Sequence, residues 1–348
     1  MGMVTRAKRR RLEEELLEDR ISCLPDGVLG DIVSLLPTKD GARTQLLSSR
    51  WRPIWCSSPL NFDLQRHRVA VGDVSRILAA HPGPCRWFCS PRHYAEDSER
   101  SAATLDWWLR CPALGNLEEL LLRYGFPRLL CSSLPPLLPA AAHRVSSTLR
   151  VAAFDNFRFP AGDEAGGALR LPVLEQLSLS FVTISESSLQ ALLAGCPVLQ
   201  SLLLAGNNGF SRLRLVSPCL RSIGVRLSYW RHIKFQQLII EDAPCLERLL
   251  LLGNVIEEML DISVISAPKL CTLGQLSDGF PRIKFDTTIF QGSHLVSMTA
   301  VVHSVKVLAL TNRNLKLDVA INFMKCFPCL ETLYIKASMA AGEKSMVS

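Results

Sequence analysis

Long apolar runs are missing from this chain of 348 residues; none approaches the roughly 18 residues that a membrane span needs. The basic start is followed by "LEEELLED", where a secretory signal would need an apolar core. These two absences predict a soluble, intracellular protein. Catalytic signatures are missing as well. There is no Gly-x-Ser-x-Gly, no phosphate loop and no His-Glu-x-x-His, and the seven histidines share no motif with a serine or cysteine nucleophile. A non-enzyme without a cofactor is therefore expected. Aromatic residues are scarce at 7%, while leucine dominates an apolar fraction of 48%. That balance favours helices or a leucine-based repeat over a sandwich rich in valine and isoleucine.

Charge of one sign is concentrated rather than spread. The formal net charge is +7, and residues 1–11 supply Arg6, Lys8, Arg9, Arg10 and Arg11 with no acid, which leaves +2 for the remainder. A basic tail on a nearly neutral body is not a basic groove, so neither nucleic acid nor membrane is expected as a partner. The run Lys8, Arg9, Arg10, Arg11 reads either as a nuclear-import signal or as a solvated tail, and places the protein in the nucleus, the cytoplasm or both.

Twelve cysteines in an intracellular chain are read as reduced thiols. Cys85, Cys89 and His93, with His81 before them, have loose four-residue steps, whereas a zinc site favours a tight Cys-x2-Cys knuckle and four ligands. No metal is expected there. Cys326 and Cys329 have the spacing of a redox pair, and the repeats supply another explanation.

From Leu114 onward a phrase returns: "LGNLEELLL", "LPVLEQLSL", "CPVLQSLLL", "SPCLRSIGV", "APCLERLLL", "APKLCTLGQL", "FPCLETLYI". Each fits Pro-x-Leu-x-x-Leu-x-Leu with small lapses. Prolines 172, 197, 218, 244 and 268 stand 25, 21, 26 and 24 residues apart, and the gap of 60 to Pro328 contains "SVKVLAL", a copy without its proline. Self-similarity at 21–26 residues lies in the leucine-rich-repeat range. The last two leucines of the phrase share one face of a short strand, the first turns into the same core, and proline ends the preceding segment. One repeat cannot bury its own leucines, so neighbours must stack into a curved parallel sheet. In "TISESSLQALLAGCP" Ser185 is an N-cap, Leu189, Leu192 and Leu193 are the apolar stripe of a connecting helix, and Gly195 stands at C′. Cys219, Cys245 and Cys329 all fill the slot between proline and the first leucine, a structural position rather than a redox one.

Residues 24–55, "LPDGVLGDIVSLLPTKDGARTQLLSSRWRPIW", pack two short amphipathic helices and two tryptophans into a stretch too short for a domain of its own. A helix from Asp26 carries Val28, Leu29, Ile32, Leu35 and Leu36. Pro37 stops it, Thr38 can cap a second helix, and Trp51 and Trp55 lie one helical face apart. Pro53 must then occupy a first turn or a kink.

These residues resemble the F-box of plant F-box/leucine-rich-repeat proteins. The match runs through Leu24-Pro25, then Ile32, Ser34, Leu36 and Pro37, then Ala42-Arg43-Thr44, then Leu47, Ser48, Arg50 and Trp51. The resemblance implies an N-terminal three-helix F-box followed by a repeat solenoid of α/β class. In such proteins the F-box docks on the Skp adaptor, and through it a cullin, in a ubiquitin ligase, while the repeats hold a protein substrate. The division of the chain is 1–18 charged tail, 19–64 F-box, 65–113 connecting region, 114–336 repeats and 337–348 tail. Gly41 replaces the family's alanine, which would weaken the second helix by roughly 0.5–1 kcal/mol. Many relatives continue into a further C-terminal domain after "FPCLETLYIK", where twelve residues follow Lys336 here, so a shorter member or a truncated product is expected. A scaffold with a degenerate F-box is the competing reading.

The candidate adaptor face is Leu24, Pro25, Val28, Leu29, Ile32, Leu36, Leu47, Trp51 and Trp55. The candidate substrate face, set by positions alternating with the core leucines, is Gln176, Ser178, Leu203, Arg226, Arg248, Leu250, Tyr334 and Lys336.

Overall fold

Alternating leucines make strands, and here the strands stack in parallel register. The computed structural model describes residues 21, 23–64, 71–90, 98–125, 135–160, 169–226, 235–252, 260–277, 282–285, 288–291, 294–297, 301–312 and 317–337. Its main sheet has eleven strands: β1 (Leu60–Asp63), β2 (Cys85–Cys89), β3 (Glu119–Arg123), β4 (Val151–Asp155), β5 (Gln176–Ser180), β6 (Ser201–Ala205), β8 (Ser222–Arg226), β10 (Arg248–Leu252), β12 (Thr272–Ser277), β16 (Val307–Asn312) and β17 (Thr332–Ala337), in that order. Every pairing in it is parallel. The proline-free copy at "SVKVLAL" does form a strand, β16.

The inward positions are the leucines of the phrase. Leu177 and Leu179, Leu202 and Leu204, Ile223 and Val225, Leu249 and Leu251 are all buried, in one continuous core that runs from Leu60 to Phe327. Burying such a side chain contributes about 1.5–3 kcal/mol, and no repeat can realise that without a neighbour.

The sheet starts earlier than the phrase does. β1 and β2 already belong to it, separated by helix α4 (Val71–Ala80), and helix α5 (Ser98–Leu109) lies between β2 and β3. Within residues 65–113, expected as a connecting region, the described part adds β2 to the main sheet with a helix on either side of it in sequence. Phe62, Phe88 and Trp108 fill the core there, with ring centroids 6.2 and 6.0 Å apart, and the Trp108 indole donates to Ser75 Oγ at 3.0 Å. Cys85 is part of this core, where burial pushes its thiol up to about 12, and Cys89 is buried beside it.

The back of the solenoid changes character along its length. Early repeats return through helices, of which α6 (Glu186–Ala194) starts as expected with Ser185 Oγ accepting from Ser188 N at 3.1 Å. Gly195 closes it at φ −75°, so glycine there provides room against Leu169 and Arg170, not a left-handed turn. Between Arg212 and Ser297 the described return segments are strands: β7 (Arg212–Val216), β9 (Gln237–Asp242), β11 (Asp261–Val264) and β13 (Arg282–Phe285), parallel, then β14 (Thr288–Gln291) and β15 (His294–Ser297), antiparallel. "RLRLV" and "RIKF" alternate polar and apolar residues, a period of two that a helix cannot use. Helix α6 packs on the β7 edge, where Gln190 Nε2 donates to Arg214 O at 2.9 Å. Helix α7 (Leu317–Cys326) packs on β15, and its Phe323 stacks on Phe290 together with Phe327.

Cys326 is buried at the end of α7 while Cys329 is exposed in the turn that follows. No helix among the described residues is long and apolar enough to cross a membrane.

The stack predicts unequal costs of truncation. Leu249→Ala, in a fully buried strand position, is expected to lose about 2–5 kcal/mol in urea unfolding. Leu333→Ala, half-buried on the last described strand, is expected to lose roughly half of that or less.

Candidate functional site

The N-terminal module has three short helices, α1 (Asp26–Leu35), α2 (Thr38–Arg43) and α3 (Trp51–Ser57), with a 3-10 turn at Thr44–Leu46. Helix α1 carries two apolar stripes. Leu29 and Val33 point inward and close a small core with Trp51 and Ile54. Val28, Ile32 and Leu35, spaced i, i+4, i+7, remain exposed on the other side.

That arrangement corrects the expected adaptor face. Leu29 is 0% exposed and Trp51 5%, so both build the module's own interior and neither is available to a partner. Trp55 is half-buried and packs against both the small core and the solenoid core, which makes it a joint, not an anchor. Pro25, Val28, Ile32 and Leu47 are exposed as expected, and Leu24 and Leu36 are half-buried. Two residues were missed. Leu35 is 73% exposed and Leu46 86%, beside Leu47 at 66%. Helical periodicity alone could not find them, because it places Leu35 and Leu29 on one broad stripe without saying which edge faces inward. The result is a set of aliphatic side chains, Val28, Ile32, Leu35, Leu46 and Leu47, exposed outside the module's own closed core. Exposed apolar patches of this kind mark interaction sites.

The module is fastened to the solenoid by polar and aromatic contacts. Thr38 does not cap α2; its hydroxyl donates to Asn61 O in β1 at 2.8 Å, and Asn61 Nδ2 in turn donates to Ser34 O. Pro53 sits in the first turn of α3, where its missing N–H costs nothing. Arg50 donates to Asp26 Oδ1 at 2.8 Å and to Leu24 O at 2.6 Å, latching the Leu24-Pro25 entry onto α3. The Trp55 ring leans on His81, centroids 5.1 Å apart, and His81 Nε2–H donates to Ser58 O at 3.1 Å. Burial lowers the His81 pKa, opposed by that hydrogen bond.

Gly41 belongs to the same joint. A Cβ there would stand 2.4 Å from Trp55 Cζ3 and 3.1 Å from Cε3. The glycine makes room for a ring wedged between two cores, so it is a fitted position and not a sign of decay.

All eight residues of the expected substrate face lie at strand positions that alternate with inward ones. Gln176, Arg226, Arg248, Tyr334 and Lys336 are exposed; Ser178, Leu203 and Leu250 are half-buried. Gly224 and Gly274, their neighbours on the same face, were not anticipated. The basic run Lys8, Arg9, Arg10, Arg11 and the ring of His93 lie outside the described residues. Among the described residues no three His, Cys, Asp or Glu side chains come together as a metal-holding group.

Two outcomes follow from the joint. Gly41→Ala should lower the melting temperature, although alanine is the better helix former by about 1 kcal/mol, and Trp55→Phe in the same chain should recover part of the loss. Burial lowers the His81 pKa in the folded chain, so the unfolded chain binds the proton more readily. Its contribution is complete above the ordinary histidine pKa of about 6.5 and declines as pH falls below it. Between pH 7.5 and 5.5 the wild-type melting temperature should drop more than that of His81→Gln.

Comparison with known proteins agrees with this architecture. The F-box domain family matches residues 21–63, and the family described as FBD-associated F-box protein At5g56370, LRR repeats, matches residues 105–335. The Arabidopsis thaliana F-box/FBD/LRR-repeat protein At5g22610 is 29% identical over 226 residues, 63% of this chain and 44% of the relative. F-box/LRR-repeat protein At1g55660 of the same plant is 27% identical over 257 residues, 70% of this chain and 66% of the relative. F-box/LRR-repeat protein At1g06630 is 29% identical over 248 residues, 66% of this chain and 58% of the relative. The chain spans less than half the length of the first of these. With an F-box module at its head and a family of leucine-rich repeats matched across most of the solenoid, the chain belongs to the plant F-box/leucine-rich-repeat proteins.

Proposed function

We propose that this protein is the substrate-recognition subunit of a Skp–cullin–F-box ubiquitin ligase, with the F-box docked on a Skp-type adaptor and the repeats holding a protein substrate. The observation that carries the reading is the exposure of the aliphatic side chains Val28, Ile32, Leu35, Leu46 and Leu47 although the module's own core is closed. Burying five such side chains against an adaptor would supply the centre of an interface, and Pro25 and Leu36 would sit at its margin. The subunit contributes no catalytic group in this reading; it raises the local concentration of substrate at the ligase, and effective concentration alone accounts for large rate gains. The basic run Lys8 to Arg11 would serve nuclear import.

The test is capture of a purified Skp-type adaptor by the full chain. Ile32→Asp and Leu35→Asp should each abolish capture while the melting temperature falls by no more than about 5 °C, since both side chains lie outside the module's buried core and Leu35 is 73% exposed. Capture that survives both charges would refute the reading.

A further inference from the structure

The open face of the main sheet has one stretch that departs from the regular repeat. On β8 and β10 it carries Arg226 and Arg248, both exposed and neither with an ion-pair partner among the described residues. Register aligns Arg248 with Ser222 and Arg226 with Leu252. The two guanidinium-bearing positions are thus on neighbouring strands and four residues apart along them, about 13 Å at 3.3 Å per residue.

Between the arginines lies a flat apolar floor. Leu203 lies across Gly224, with its Cδ1 3.0 Å from where a Cβ would be, and Leu250 lies across Gly274, with its Cδ2 2.9 Å away. A side chain at either glycine would lift its leucine off the sheet. The floor is bounded by a bulge in β12, where Gly274 and Gln275 together face the single residue Ala309 between the pairs Leu273–Leu308 and Leu276–Leu310. Gln275 takes φ +49°. Among the described residues the other non-glycine positions with positive φ, Asn156 and Phe181, directly follow strands, whereas Gln275 lies inside one. A strained residue and a bulge beside two exposed cations with no ion-pair partner among the described residues are features that a purely structural repeat does not need.

We infer that Leu203, Gly224, Arg226, Arg248, Leu250 and Gly274 form the substrate subsite, and that its ligand is an extended acidic peptide segment. An extended chain repeats its side-chain direction every second residue, so positions i, i+2 and i+4 face the sheet together and span about 13 Å. Carboxylates at i and i+4 meet the two arginines, and an aliphatic side chain at i+2 rests on the floor. Each carboxylate–guanidinium contact is a charge-assisted, fork-shaped hydrogen bond, which sets both register and sign. This inference rests on the receptor reading above and names the substrate class it would take.

The experiment is selection of a random peptide display library on the full chain, followed by fluorescence anisotropy of the enriched peptides. The expected consensus has two acidic residues four apart with an aliphatic residue midway. Arg226→Gln and Arg248→Gln should each weaken binding about fivefold or more, with affinity falling as salt rises. Gly224→Leu should abolish binding by raising the floor, and all three variants should keep adaptor capture. No enrichment, enrichment without the acidic pair, or affinity unchanged in both arginine variants overturns the inference. Adaptor capture is read separately: peptide binding without capture would leave the subsite standing and remove the ligase assignment.

Discussion

In this fold an inward strand residue is covered only by the strands on either side of it. Everything else follows from that dependence. Leu60 and Phe62 in β1 would be half-open at the head of the stack if nothing lay before them, and helices α1 and α2 pack there. The F-box therefore serves its own chain as the cap of the solenoid. Trp55 belongs to both cores, Thr38 and Ser34 are tied to Asn61, and the two parts share a boundary that cannot open without exposing both. Because one side of the module is used in this way, its large exposed aliphatic side chains are those of the outer stripe of α1 and of the turn at Leu46 and Leu47.

Register along the stack is written in the residue after the first leucine of each phrase. In order these are Glu118, Arg150, Glu175, Gln200, Arg221, Glu247, Cys271, Lys306 and Glu331, and the backbone N–H of each bonds to the carbonyl of the one before. Signs alternate wherever the position is charged, and Arg150–Glu175, Arg221–Glu247 and Lys306–Glu331 are ion pairs at 2.7, 2.9 and 2.8 Å. These pairs are exposed and salt-screened, so they contribute little energy. Their value is in direction, since the cores of successive repeats are chemically interchangeable and charge is one of the few features that distinguishes a correct neighbour from an incorrect one.

The repeats were legible because leucine at inward positions is under a constraint that the chain states many times over. Strands β5, β6, β8, β10, β12, β16 and β17 all fall on copies of the phrase. The first repeats were not legible, because Phe62, Phe88 and Trp108 fill the same volume with different residue types and erase the pattern while keeping the core. The second sheet was missed for another reason: "RLRLV" and "RIKF" do alternate, but four or five residues of alternation are readily passed over between stronger signals. At the F-box the apolar residues could be found from periodicity, yet the division into inner and outer edges needs to know where β1 lies. Gly41 shows the same limit most sharply. Helix propensity alone marks it as a weakness, and only the ring of Trp55 above it gives it a purpose.

The open face is free of that constraint. Its side chains lie outside the buried core, so variation at its exposed positions costs the fold little and leaves room for recognition. A binding subsite in a solenoid should then appear as a local interruption of an otherwise permissive surface. Glycines overlain by the leucine of the next strand, exposed cations without an ion-pair partner among the described residues, and a bulge that breaks a parallel ladder are interruptions of that kind, and they coincide on β8, β10 and β12. None of them stabilises the stack. Gly224 and Gly274 give up strand propensity, Gln275 sits in an unfavourable backbone region, and two arginines of like sign face the same solvent. Features that each weaken a scaffold yet gather in one place are best explained by what they hold.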